Sequence, residues 1–189
     1  MFGRNLLIGA SALAVFSFGS AFAQDKQQQK MEKQKTEMHR RADEALQKLF
    51  KEVPGSKQLY DKAAGYAVIS VTKAGFFVSG SGGSGVAVDK ATKHTTYMKM
   101  GAAGAGLSFG AEKFDMVFLF QTKDRLKEFV SGGWDSAAAA KATAGKDSAG
   151  AASDFFEDQI IYTLSDKGLM ASADVSGTKF WADEELNKE

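Results

Sequence analysis

Residues 67–88 constrain the fold of this chain more than any other segment. They contain a β-rich apolar run, a Lys-Ala-Gly turn at residues 73–75, a second apolar run and a glycine cluster at residues 80–85. Stiff β-branched and aromatic residues favour extended backbone, whereas glycine permits the tight turns between strands. The segment therefore predicts a compact β unit, with the glycine cluster opening its third strand. The predicted strands are residues 66–71, 76–79 and 86–88.

A long helix is predicted over residues 26–52, before this β unit. The segment is rich in good helix formers, lacks glycine and proline, and repeats apolar residues at spacings of three, four and seven. Pro54 and Gly55 end it, and a short second helix is predicted at residues 56–64.

The second half of the chain predicts more strands and one more helix. Residues 115–121 are apolar on both faces, which indicates a central, covered strand. Thr122 is predicted to cap a helix over residues 123–130. Further strands are predicted at residues 95–100, 107–111, 160–165 and 169–175. A glycine turn at residues 166–168 joins the last two strands. For residues 134–153 the sequence allows three alternatives, which are a weak helix, an irregular segment and a mobile insert.

Short connections between most of these strands favour antiparallel pairing. The predicted fold class is α+β: a curved antiparallel sheet with a long N-terminal helix and one or two further helices packed on it.

The first 23 residues have the pattern of a secretory signal peptide. Arg4 is followed by a 13-residue apolar stretch and an Ala-Phe-Ala cleavage site at residues 21–23. The apolar stretch is shorter than the roughly 20 residues that a membrane-spanning helix needs; an uncleaved anchor is the alternative. The domain prediction is a signal peptide at residues 1–23 and a single domain at residues 24–189, with its helix at 26–52 and a β-rich body at 65–181. The predicted location is the periplasm, either free or peripheral on a membrane.

Charge is distributed unevenly along the predicted domain. Residues 24–149 contain 20 basic and 14 acidic residues, whereas residues 150–189 contain 3 basic and 9 acidic ones. Because residues 150–189 are acidic, the charge distribution argues against nucleic-acid binding over the whole surface. Binding of one basic side of the domain to an anionic surface is an alternative that the charges allow.

Two motifs resemble catalytic or cofactor sites but lack the required context. The glycines at residues 80–85 match the spacing of a dinucleotide loop, yet a strand rather than a helix is predicted to follow. Ser108 lies in a Gly-x-Ser-x-Gly sequence, but both histidines, His39 and His94, precede it in the chain. Without cysteine or a recognised histidine spacing, no metal site and no cofactor is predicted. We therefore predict a protein that is not an enzyme.

The predicted N-terminal helix is a candidate for lipid contact. Residues 24–52 contain eight basic and six acidic residues, so the excess charge supports weak association with anionic lipid. The alternative is that the apolar stripe packs on the sheet while the outer face stays in solvent. The candidate lipid-binding residues, including three at the first predicted hairpin, are Lys30, Lys33, Arg40, Arg41, Leu46, Leu49, Phe50, Lys73, Phe76 and Phe77.

Four blocks of sequence, in order, resemble the SYLF (Ysc84-type) domain family. The first is the segment at residues 67–88, and the second is the glycine-rich run at 101–112 leading into 115–120. The third combines residues 127–129, Gly132-Gly133 and the alanine-rich tract. The last block is the hairpin at residues 161–171, with Ser176-Gly177-Thr178 behind it.

The resemblance implies a domain that binds phospholipid membranes and has no catalytic activity. The expected partner is an anionic phospholipid or membrane surface of the bacterial cell envelope. Actin binding, known within the family, is not expected for an exported protein. The alternative is a structural or protein-interaction module of the periplasm that self-associates or scaffolds envelope proteins.

Overall fold

A computed structural model describes residues 17–75, 79–104, 110–132, 154–169 and 178–188. Its contacts divide the chain into two compact units, residues 1–34 and 35–189. The described part of the first unit lies in helix α1 (Ser17–Glu52), where every side chain from 25 to 34 except the half-buried Met31 is exposed. The helix ends where predicted but begins earlier than residue 26, within the segment assigned to the signal peptide. The prediction that this segment is cleaved remains a prediction.

The second unit is an α+β domain, as predicted. After the last part of α1, its described helices are α2 (Ser56–Lys62) and α3 (Lys123–Val130). Its described strands are β1 (Gly65–Gly75), β2 (Ser79–Asp89), β3 (Thr95–Gly104), β4 (Gly110–Phe120), β5 (Gln159–Ser165), β6 (Gly168–Leu169) and β7 (Thr178–Ala182).

The strands form one antiparallel sheet in the order β6-β5-β4-β1-β2-β3-β7. Strand β1 lies inside the sheet and pairs along its whole length with β2 and with β4. The predicted antiparallel pairing is confirmed, and β1 is the strand that joins the two halves of the sheet.

Each face of the sheet has its own apolar core. On one face, the stripe of α1 that includes Leu46 and Leu49 packs with α2 on Val68, Val117 and Tyr162. On the other face, Leu126 and Phe129 of α3 pack with aliphatic and aromatic side chains of the strands, among them Met98, Phe118 and Phe180. The helices therefore lie on both faces, with α3 opposite α1 and α2. Burying the stripe of α1 removes its apolar side chains from water, which stabilises the fold.

The predicted turn at residues 73–75 and the predicted opening of a strand at residue 86 are both wrong. Residues 73–75 belong to β1, where Lys73 pairs with Ser81 of β2 and with Glu112 of β4. The glycine cluster lies within β2, which is regular from its first residue to its last. The backbone pairing of β1 on both sides keeps these residues extended. The predicted strand at 76–79 falls mostly on residues 76–78, outside the described residues.

Close packing of two strands explains glycine inside β2. An ideal Cβ atom built on Gly85 would lie 1.8 Å from the carbonyl oxygen of Val68 and 2.9 Å from the Cα atom of Ile69. The backbone of β1 occupies the space that a side chain would need, so only glycine fits.

Several local predictions are confirmed. Strand β4 is buried on both faces from Met116 to Phe120. The Thr122 hydroxyl accepts a hydrogen bond from the backbone N–H of Arg125 at 3.3 Å, which caps α3. Gly168, the last residue of the predicted turn and the first residue of β6, adopts φ 107°. Strand β7 was not predicted, and the segments at 105–109, 134–153 and 170–175 lie outside the described residues.

Among the described residues, no helix combines the length and apolar character that crossing a membrane requires.

Candidate functional site

Helix α1 leaves part of its side of the sheet exposed. Strand registers place Ser70, Thr72 and Ala74 of β1 on the same side as Val68, which packs under α1. Thr72 and Ala74 are exposed, as are Gly80 and Gly82 opposite them on β2. We call this exposed part of the α1 side of β1–β4 the open face. Its residues are small or polar: Ser70, Thr72, Ala74, Gly80, Gly82, Ser84, Gly101 and Ala111.

A groove of about 340 Å³ lies where α1 meets the open face. Its helix side is formed by Arg40, Arg41, Glu44, Ala45 and Lys48, and its sheet side includes Ser70, Lys113, Asp115, Leu164, Ser165 and Asp166. Four of these side chains are cationic and three, Glu44, Asp115 and Asp166, are acidic, so the groove carries a small excess of positive charge. Its apolar lining residues Ala45 and Leu164 are buried, with 3% and 1% of their surface exposed.

A carboxyl group lies on the sheet side of the groove. The Ser70 hydroxyl donates a hydrogen bond to Oδ1 of Asp115 at 2.6 Å. Burial raises the pKa of Asp115, and this effect exceeds the opposing effects of the Ser70 hydrogen bond and of the charges on Lys48 and Arg41. Asp115 therefore gains a proton at a higher pH than an exposed aspartate does, and the groove then becomes more positive.

The cations of α1 already have partners. Nη2 of Arg40 donates to Glu37 at 2.6 Å, its Nη1 pairs with Glu44, and Nε of Arg41 donates to Glu37 at 2.9 Å. Hydrogen bonds from Arg40 and Arg41 lower the pKa of Glu37 to about 2. Nζ of Lys48 donates to the Ser165 carbonyl oxygen at 2.5 Å. These contacts fix the position of the cations and reduce the charge that they present.

Lys113 differs from the other cations of the groove. Its side chain is exposed on β4, and it forms neither an ion pair nor a hydrogen bond with any residue in the described part of the chain. An anionic ligand can therefore engage Lys113 without breaking a contact within the described part of the chain.

The predicted lipid-binding residues lie in different environments. Arg40 and Arg41 line the groove, whereas Leu46 and Leu49 are buried against the sheet. Phe50 is half-buried, with its ring centroid 5.2 Å from that of Tyr60. For this part of α1 the structure shows the stated alternative, packing on the sheet. Contact of Leu46 or Leu49 with lipid would require α1 to leave the sheet.

The remaining predicted lipid-binding residues are not among the residues that line the groove. Lys30 and Lys33 are exposed in the first unit. Lys73 is half-buried on β1 and points to the side opposite α1, as register and strand alternation require. Phe76 and Phe77 lie outside the described residues.

Sequence reasoning missed the roles of Lys113, Asp115 and Ser70. Asp115 carried a weak signal, because it is a charged residue at the start of a run that is apolar on both faces. Its partner Ser70 is 45 positions away in sequence, and only the register of β1 with β4 brings them together. No local pattern identifies such a pair.

The histidines do not form a recognisable catalytic arrangement with the groove. His39 lies 3.3 Å from the Tyr97 hydroxyl, and His94 is exposed at the start of β3. Ser108 lies outside the described residues. Within the described ranges, no group of three or more histidine, aspartate or glutamate side chains is arranged to bind a metal ion.

Comparisons with known proteins find a matching family model and several similar chains. Residues 101–189 match the family model Ysc84, described as Las17-binding protein actin regulator. The chain is 40% identical over 147 residues to Beta cell expansion factor A of Aeromonas veronii, a match that covers 78% of this chain and 56% of the relative. It is 33% identical over 137 residues to LAS seventeen-binding protein 3 of Saccharomyces cerevisiae, covering 67% of this chain and 30% of the relative. The chain thus spans between about a third and just over half of the length of these curated relatives.

Proposed function

This chain belongs to the Ysc84 (SYLF) family, and from that premise we propose that it is a non-enzymatic domain that binds anionic phospholipid in the groove between α1 and the open face. The observation that carries the proposal is Lys113, which has no ionic partner among the described residues, in a groove that also contains three paired cations. A lipid phosphate carries the complementary charge, and a cation near an anionic membrane surface contributes about 1 kcal/mol to binding.

The groove offers a lipid phosphate its cations but little apolar surface, since Ala45 and Leu164 are only 3% and 1% exposed. The apolar part of a bound lipid therefore lies outside the groove.

We further propose that the protein acts in the bacterial cell envelope, after export and removal of residues 1–23. The signal-peptide pattern and the bacterial relative support this location. In that setting the anionic lipid belongs to the envelope membranes, and the protein is peripheral to them.

Flotation with vesicles tests the proposed function. Protein lacking residues 1–23 is mixed at low salt with vesicles of phosphatidylcholine, with or without phosphatidylglycerol, and centrifuged through a density gradient. We expect the protein to float only with the anionic vesicles and to be released as salt is raised, since salt screens charge. Absence of flotation at low salt would overturn the proposal.

The second candidate function is a protein-interaction module. LAS seventeen-binding protein 3 is named for a protein that it binds. Strand β7, at one end of the described sheet order, pairs with β3 on one side and has no described strand on the other. Such an edge accepts a strand from another chain. Light scattering of the purified protein, alone and with envelope extract, separates this function from lipid binding.

The state of Asp115 predicts how lipid binding depends on pH. Because burial raises its pKa, the group loses its negative charge as the pH falls towards the acid range, and repulsion of lipid phosphate falls with it. Asp115→Asn removes that charge at every pH. We expect the variant to bind anionic vesicles up to about fivefold more tightly than the wild type at pH 7.5, with the difference disappearing as the pH falls.

The matched control is Glu128→Gln, which makes the same change of charge at an exposed position on α3, on the other side of the sheet. It should change affinity much less. Equal effects of both variants at every pH would show that Asp115 does not face the bound lipid.

A further inference from the structure

A half-exposed tryptophan lies on the same side of the sheet as the groove. Trp181 of β7 is 44% exposed, while its neighbour Phe180 is buried in the core on the side of α3. Since neighbouring residues of a strand face opposite sides, the Trp181 side chain lies on the α1 side. A large exposed apolar group is unusual enough in this domain to need an explanation.

The neighbouring strand fixes the position of the Trp181 ring. Trp181 pairs with Lys99 of β3, and an ideal Cβ atom built on Gly101 would lie 3.2 Å from Cη2 of Trp181. The indole therefore rests on glycine backbone, with part of its surface packed and part exposed. A side chain held in this way loses little conformational freedom when it contacts a partner.

Two lysines flank Trp181 on the sheet, and Asp183, Glu184 and Glu185 follow it in the chain. Lys99 and Lys179 lie next to Trp181 in the β3–β7 pairing, and both extend into solvent. Nζ of Lys99 lies 3.1 Å from the buried carboxylate of Asp183. The negative charge of Asp183 offsets part of the positive charge of Lys99. Lysine is depleted in the cores of protein interfaces, whereas tryptophan next to lysine is typical of surfaces at the boundary between water and membrane.

The tryptophan and the groove lie on one row of the sheet. Strand pairs connect Trp181 to Lys99, Lys99 to Ser84, Ser84 to Ser70, and Ser70 to Asp115. With neighbouring strands about 4.8 Å apart, Trp181 lies roughly 20 Å from Asp115. Between them lie Lys99 of β3 and the small residues Ser84 and Ser70 of the open face, so Lys99 is the one bulky described side chain of that row between the two ends.

We propose that the open face is the surface that the domain turns towards an anionic bilayer, and that Trp181 enters the headgroup region while Lys99 and Lys179 meet lipid phosphates. This inference rests on the proposed function, because it assigns an orientation to a protein that binds lipid. The partner is a membrane surface rather than a single extracted lipid molecule, since Trp181 lies outside the groove.

Fluorescence tests the inference directly, because the chain contains two tryptophans. Trp134→Phe leaves Trp181 as the single emitter. The protein as isolated from cells is titrated with vesicles of phosphatidylcholine and phosphatidylglycerol that contain lipids brominated at defined depths. We expect a blue shift of the Trp181 emission and strongest quenching by the shallowest bromines, with neither effect on phosphatidylcholine alone. Trp181→Phe, in which only Trp134 emits, is the reciprocal control.

Affinity gives a second readout. Trp181→Ser should weaken flotation with anionic vesicles by about tenfold, because a large apolar surface no longer leaves water on binding. Trp181→Phe keeps an aromatic ring over Gly101 and should retain most of the binding. Phe156→Ser is the matched control, since Phe156 is 45% exposed but precedes β5, in the other half of the sheet order.

The outcomes separate the two proposals. Vesicle binding without any change in Trp181 emission overturns the orientation and leaves the groove as the lipid site. No binding to any vesicle overturns both proposals. Equal losses in Trp181→Ser and Phe156→Ser would show that general hydrophobicity, not this surface, drives association.

Discussion

Gly85→Ala should destabilise the domain by about 4 kcal/mol or more, a large part of the roughly 5–15 kcal/mol that stabilises an ordinary domain. The added methyl group would lie 1.8 Å from the Val68 carbonyl oxygen, and its next neighbours are also backbone atoms of β1. Backbone of a strand that pairs on both sides cannot rotate away as a flexible side chain does. The clash must therefore separate β2 from β1 or prevent the sheet from forming.

Gly80→Ala is the matched control in the same strand. A Cβ atom built on Gly80 meets nothing within 4 Å, so this change should alter the free energy of unfolding by less than about 0.5 kcal/mol. Urea denaturation followed by circular dichroism measures both variants. Equal urea midpoints for Gly85→Ala and the wild type would show that β1 and β2 do not approach as closely as described.

Lys113→Glu should reduce affinity for anionic vesicles by about 30-fold at low salt. The change replaces one positive charge with a negative one beside the bound phosphate, which corresponds to about 2 kcal/mol if each unit of charge contributes about 1 kcal/mol. Because Lys113 is exposed and has no ionic partner among the described residues, the free energy of unfolding should stay nearly unchanged. Raising the salt concentration should reduce the difference between the variant and the wild type.

The control for this change is Lys127→Glu on α3. It alters the net charge by the same amount, at an exposed side chain on the far side of the sheet from the groove. Flotation across a series of lipid concentrations gives both affinities. If the two variants lose affinity equally, net charge rather than the groove governs binding.

Elements specified by neighbouring residues were predictable from the sequence. The doubly buried β4, the Thr122 cap of α3 and the positive φ of Gly168 each depend on a few consecutive residues. Local propensity and periodicity contain that information.

Features that depend on distant strands were not predictable. Glycine has low β propensity, so the cluster at residues 80–85 suggested turns, yet Gly85 lies within β2 because the backbone of Val68 passes beside it. The groove also depends on the pairing of strands that are distant in sequence, because the Ser70–Asp115 contact requires the register of β1 with β4. Lipid contact by Leu46 and Leu49 was predicted from the apolar stripe and the basic residues of the helix, which cannot distinguish a stripe that meets a membrane from one that meets a sheet.

The order of the strands also bears on where the domain can be cut. The family match starts at residue 101, after β1 and β2, but these two strands lie between β4 and β3 in the sheet. A truncated protein that follows the boundaries of the match would keep β4 and β5 on one side and β7 on the other, with nothing to bridge them. The smallest autonomous folding unit must therefore reach back at least to Gly65, and back into α1 if the core beneath that helix is to stay covered.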